Sequence, residues 1–222
     1  MQDKPINPFA RWIELRKLDL ALFRPAPPAP QLVGLNAKEA VWRITVPNQA
    51  DRFMVARSSD VDRLKYVVVV DGERFYRTWL SGDVSVGRPD RCLLRADMPT
   101  DYKFDRAVTG FSRSAENPVP LANVDAFRKG QRIEVGFTNG ITRTFWLLAH
   151  RARAFPLAVS GSDSAELMNQ VAGTHTRPIQ FEDLFRNAKQ KQSEDQARGD
   201  WASLGSITDL KSRGGVSKGA GG

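Results

Sequence analysis

The residues of this chain best suited to hold an anion are Asn139, Gly140, Thr142, Arg143 and Thr144, gathered in the stretch Thr-Asn-Gly-Ile-Thr-Arg-Thr at 138–144. Two local geometries compete for them. In one, Asn139-Gly140 is a two-residue type I′ turn joining an alternating strand over 132–138 to a second one starting at Ile141. In the other, Gly140 turns the backbone sharply into a helix over 141–150, with Ile141, Phe145, Leu148 and Ala149 on one face. The first-turn N–H groups and the positive end of the helix then point outward. The Arg143 guanidinium and the Thr142 and Thr144 hydroxyls complete a cup for phosphate or carboxylate. Pattern alone leaves both open.

Composition narrows the other chemistries. A single cysteine, Cys92, removes disulfide frameworks and Cys-rich metal sites, and two histidines, His150 and His175, leave little for zinc or a His-based triad. No metal or cofactor is expected. There is no GxxxxGK[ST], so a P-loop nucleotide site is not expected. Asp97, Asp101 and Asp105 lack the Gly and Glu offsets of a calcium loop. Asp71 and Glu73 read as a turn and a helix cap. Cys92 stands among Arg88, Arg91 and Arg95, which would lower its pKa, but a core cysteine is the better reading. The net charge of +8 invites nucleic acid, yet acids interrupt most basic stretches, so such binding is expected to be secondary. No apolar run reaches the ~18 residues of a membrane span, and the N-terminus lacks an apolar signal core. A cytoplasmic protein without membrane contact is the expectation.

The elements that must position these residues fall into three parts. Residues 1–30 comprise an amphipathic helical arm and a proline spacer. Asn7 caps the helix with Pro8 at its first position, and Phe9, Trp12, Ile13, Leu20 and Phe23 form a stripe at helical spacing. The stripe is expected to dock on the chain's own domain, or else to offer aromatics to a partner. Arg-Pro-Ala-Pro-Pro-Ala-Pro at 24–30 is a stiff, extended spacer. Residues 31–198 form the core. Strands are expected near 40–47, 64–70, 132–138 and 155–159, and helices near 73–80, 164–172 (capped by Ser162 or Asp163) and 180–197. Residues 83–117 resist assignment and read as a long excursion of the kind that carries function. Residues 199–222 are a Gly/Ser/Lys-rich basic tail expected to be disordered when free.

The order of these pieces carries a resemblance. Pro-Val-Pro-Leu at 118–121, the strand and turn Ile-x-Val-x-Phe-Thr-Asn-Gly-Ile-Thr-Arg-Thr-x-Trp-Leu at 133–147, and Phe-Pro-Leu-Ala-Val at 155–159 together resemble the ParB/sulfiredoxin fold. More narrowly, Thr-Asn-Gly-x-x-Arg-x-x-Trp-Leu at 138–147 is similar to the core of the plasmid fertility-inhibition factors, with the likeness spanning roughly residues 64–172. The resemblance implies an α+β, mixed-sheet domain. It also implies a protein by which one conjugative plasmid suppresses transfer of another, acting on the coupling ATPase of the type IV secretion apparatus, a hexamer. Some ParB/sulfiredoxin relatives instead use this turn for nucleotide or nuclease chemistry. Where such relatives carry His or Arg before the last Arg, this chain has Thr142, so a local acid or base is missing. A binding inhibitor rather than an enzyme is therefore expected, with contacts from Arg11, Trp12, Tyr102, Arg106 and Arg113, the side-chain types that dominate interfaces.

Overall fold

A computed structural model describes residues 5–190, apart from 61–63, 86, 114, 187 and 189. The tail from 199 and the end of the helix expected to reach 197 lie outside the described residues.

The described elements run, in chain order, α1 (Pro8–Ala21), β1 (Gln31–Leu35), β2 (Glu39–Ile44), β3 (Arg52–Arg57), β4 (Lys65–Asp71), α2 (Gly72–Ser81), α3 (Phe104–Phe111), β5 (Val119–Pro120), β6 (Asn123–Lys129), β7 (Arg132–Asn139), α4 (Ile141–Ala149), β8 (Ala154–Ser160), α5 (Ser162–Ala172) and β9 (Ile179–Gln180). Residues 181–186 are again helical. The class is α+β, as the sequence implies. A four-stranded sheet runs β1-β2-β3-β5 and a five-stranded sheet β7-β6-β8-β4-β9.

The larger sheet carries the candidate turn. Its backbone is the antiparallel β4–β8 pair, in register from Lys65↔Ser160 to Asp71↔Ala154. Val67, Val68 and Val70 are buried there against Phe155, Leu157 and Val159, as a β-branched run with both faces covered requires. β6 and β7 make a hairpin, and β6 meets β8 in parallel only at Asn123↔Ala158 and Val124↔Val159. That short parallel contact brings the end of β7, where the chain leaves for α4, beside the entry segment at 119–122.

Helix α2 starts at Asp71, whose carboxylate accepts from the Glu73 and Arg74 N–H groups at 2.9 and 3.2 Å, and it ends at Gly82. It contributes Phe75, Tyr76, Trp79 and Leu80 to the core. Trp79 stacks on Phe145 of α4 at 5.1 Å and lies 4.6 Å from Phe137 of β7, while Phe75 meets Phe155 edge-on at 5.9 Å. The cap at α5 differs from expectation. Ser162 and Asp163 lie inside its first turn, the cap position is Gly161 at φ +81°, and Ser164 instead accepts the Ala126 N–H at 2.8 Å.

Helix α1 forms as expected, with Asn7 accepting from Phe9 and Ala10, but its seat is the opposite of the apolar stripe. Leu18 is buried in the core, Arg11 donates to the carbonyls of Leu80 and Gly82 at 2.9 and 2.8 Å, and Asp19 pairs with Arg77 at 2.7 Å. Phe9, Trp12, Leu20 and Phe23 are 68%, 53%, 68% and 88% exposed. Burying a polar edge can win here because the last carbonyls of α2 need a donor and Arg11 supplies two.

Candidate functional site

The Asn139-Gly140 turn opens a helix and not a hairpin. A type I′ turn needs positive φ at both central residues. Gly140 has φ +93°, whereas Asn139 is not among the residues with positive φ. Tertiary burial accounts for the outcome: Thr144, Phe145, Trp146, Leu147 and Leu148 are buried in succession, which a half-exposed hairpin strand cannot accommodate and an enclosed helix can. Only glycine fits at 140. A Cβ there would stand 2.7 Å from both Cα and Cβ of Ala122.

The cup itself is occupied by the chain. Arg143 Nη1 donates to the carbonyls of Pro120 at 2.6 Å and Leu121 at 3.2 Å, and Nη2 approaches Asn139 Oδ1 at 3.4 Å. Burial lowers the guanidinium's pKa from its ordinary value. Thr144 is wholly buried and donates to the Gly140 carbonyl at 3.1 Å. Thr142 Oγ1 meets the Asp101 carboxylate at 3.3 Å, so a carboxylate of the chain's own lies beside the positive end of α4. His150, the C-cap of α4, binds the Trp146 carbonyl through Nδ1 at 2.8 Å and lies over the Trp146 ring at 4.1 Å. Neither histidine belongs to the turn.

Two cavities meet there. A groove of about 670 Å³ passes between α3 and the turn, lined by Lys103, Arg106, Asp90, Asn139 and Arg143 among others. A smaller, polar pocket of about 250 Å³ lies between the sheets, where Asn139 and Arg143 face Arg57 of β3 and Lys65 of β4. Sequence reading misses Arg57, Lys65 and Asp101 as neighbours of the turn. Arg57 ends a strand that patterning passes over, and Asp101 lies in the unassigned stretch. A wider groove of about 930 Å³, between β6 and α5, shares no lining residue with the turn.

The expected partner residues separate into three places. Tyr102, Arg106 and Arg113 are exposed on and around α3, Tyr102 with Lys103 seated 4.9 Å over its ring. Trp12 faces outward from α1. Arg11, expected beside it, is directed into the domain and caps α2. Cys92 is fully buried, and burial pushes its thiol pKa up despite the neighbouring arginines. Among the described residues no cluster of side chains fit to hold a metal ion occurs, and no helix is long and apolar enough to cross a membrane.

The site is thus a glycine turn that opens a buried helix in a mixed α+β domain, with a guanidinium folded back on that turn. Residues 67–173 match the family model for the plasmid fertility inhibition factor. The chain belongs to the plasmid fertility-inhibition factor family. It is 36% identical over 176 residues to Protein osa of Shigella flexneri, an alignment covering 78% of this chain and 90% of that protein. It is also similar to the crystal structure of Oncogenic Suppression Activity Protein, a plasmid fertility inhibition factor solved as a gold(I) cyanide derivative. There the TM-score is 0.70 and the identity 34%, with 82% of this chain and 95% of that one covered.

Proposed function

We propose that the protein suppresses conjugative transfer of a co-resident plasmid by binding the coupling ATPase of its type IV secretion apparatus, from the donor cytoplasm and without chemistry of its own. It would cover the surface where the DNA–relaxase substrate docks, or hold the ATPase in a non-productive assembly. Family membership supports the inhibitory role. The single observation that favours docking over catalysis is that Arg143, Thr144 and Thr142 all bind groups of the chain itself, which leaves the turn as a structural joint.

The test is co-purification with a coupling ATPase freed of its membrane anchor, repeated at about 0.5 M salt, where exposed charge contacts are mostly screened. A stoichiometric complex at both salts is the expected result; its absence would overturn the reading.

A second reading rests on the 250 Å³ pocket, whose lining includes Arg57, Lys65 and Arg143 against the single carboxylate of Asp60. Three cations in one recess suit a phosphate, as in a nucleotide- or nucleic-acid-processing enzyme. Nucleotide hydrolysis or DNA cleavage that is lost in Arg143→Ala and also in Lys65→Met, with the fold retained, would establish that reading in place of the first.

A further inference from the structure

The outward face of α1 is the largest feature that neither the fold nor the turn explains. At the helical angle of about 100° per residue, Phe9, Trp12, Arg16 and Leu20 fall within an arc of about 80°, and Phe23, 88% exposed, follows in the turn beyond the helix. Leu18 and Arg11 lie opposite and hold the helix to α2. Phe9 stacks on Trp12 at 6.1 Å, and the Arg16 guanidinium sits 5.6 Å from the centre of the Trp12 ring. The stripe is thus ordered before anything binds it, which removes much of the ordering cost of association.

The well-exposed charges beside this face are positive. The Arg16 and Lys17 side chains are 67% and 70% exposed, whereas Asp19, 4.0 Å from Arg16 but held by Arg77 at 2.7 Å, and Glu14, beside Lys17, are 34% and 20% exposed. A second copy is a poor occupant, because a two-fold contact would set Arg16 against Arg16. A bilayer is no better, because a guanidinium at the middle of the apolar stripe would enter the membrane with it. Tryptophan with arginine at the centre of an exposed apolar patch is instead the composition of a protein–protein hot spot.

We propose that the Phe9–Trp12–Arg16–Leu20 face of α1, with Phe23 just beyond its end, seats the protein in an apolar, carboxylate-rimmed groove of its partner. The inference rests on the coupling-ATPase reading and names the surface used. Two full-length variants test it, Trp12→Ala combined with Phe23→Ala, and Arg16→Glu, beside Arg128→Ala as a control on exposed β6. Affinity for the anchor-free ATPase is read by titration calorimetry, with circular dichroism confirming the fold. The double variant should weaken binding about tenfold or more, Arg16→Glu should weaken it most at low salt, and Arg128→Ala should leave it unchanged. Wild-type binding that the double variant retains in full would overturn the surface and leave the ATPase reading intact; no wild-type binding would overturn both. Should the double variant keep ATPase binding but lose dimerisation, or adsorption to vesicles containing anionic lipid, the face belongs to that other occupant and the proposal fails.

Discussion

Two parts of the molecule combine arginine with aromatic residues and treat them in opposite ways. At α4, Arg143 lies against its own backbone carbonyls, and Trp146 is enclosed, 4.4 Å from the Phe111 ring on α3. On α1, Arg16, Trp12 and Phe9 are equally ordered and face solvent. The turn whose sequence carries the resemblance therefore marks a joint that builds the fold. The face with the composition of an interface lies outside the stretch that the family model matches. A short, well-patterned block can thus point to a family while its side chains are taken up by the chain's own backbone.

Substitutions can break or sharpen this contrast. The largest effect belongs to Gly140→Ala, which must hold alanine at φ +93° against Ala122; it should cost about 3–4 kcal/mol, read as a shift of the urea midpoint. Next comes a pair of leucines two positions apart on α1. Leu18→Ala should destabilise by about 2–3 kcal/mol, while Leu20→Ala should stay within about 0.5 kcal/mol in the same measurement. Equal losses would mean that the helix sits the other way round. Arg143→Met keeps the bulk but strands the carbonyls of Pro120 and Leu121, and a loss of about 2 kcal/mol is expected by thermal melting.

The smallest effect is one of pH. Burial holds the Tyr76 phenol and the Cys92 thiol above their ordinary pKa values, so the unfolded chain releases these protons before the folded one does. Their stabilising contribution is complete below about pH 8 and declines as pH rises past about 8.5 and then 10, the unfolded values of Cys and Tyr. The melting temperature should fall over that interval, and Cys92→Ala should flatten its first part.

Much of this was open to reading from residue order. β4 announces itself as a β-branched run, α2 by its Asp71 cap and Gly82 stop, and the last described helix by Phe181, Leu184, Phe185 and Ala188, all of them buried. β3 escapes because Met54, Val55 and Ala56 are buried in succession, which erases the period of two, and Met and Ala are weak strand formers. α3 escapes because Val108, Thr109 and Gly110 sit in its second half, and only Phe104, Ala107 and Phe111 record its buried face. The choice between hairpin and helix after Asn139 was undecidable locally, because it depends on what encloses residues 144–148. For the site, spacing placed Asn139 and Arg143 together but could not say that Arg143 turns inward, since its partners lie 22 and 23 residues earlier. The orientation of α1 was likewise hidden, because hydrophobicity favours burying the stripe, whereas Leu18, the Asp19–Arg77 pair and Arg11 on the last carbonyls of α2 favour the reverse.

That end of α2 also sets a timetable. Its terminal carbonyls are closed by Arg11, 69 and 71 positions upstream, so no locally folded segment can finish the helix. A ribosome makes α1 well before Leu80 exists, and the helix must wait with its docking side unsatisfied until α2 arrives to receive it. A chain interrupted anywhere before residue 82 therefore exposes both sides of α1 at once.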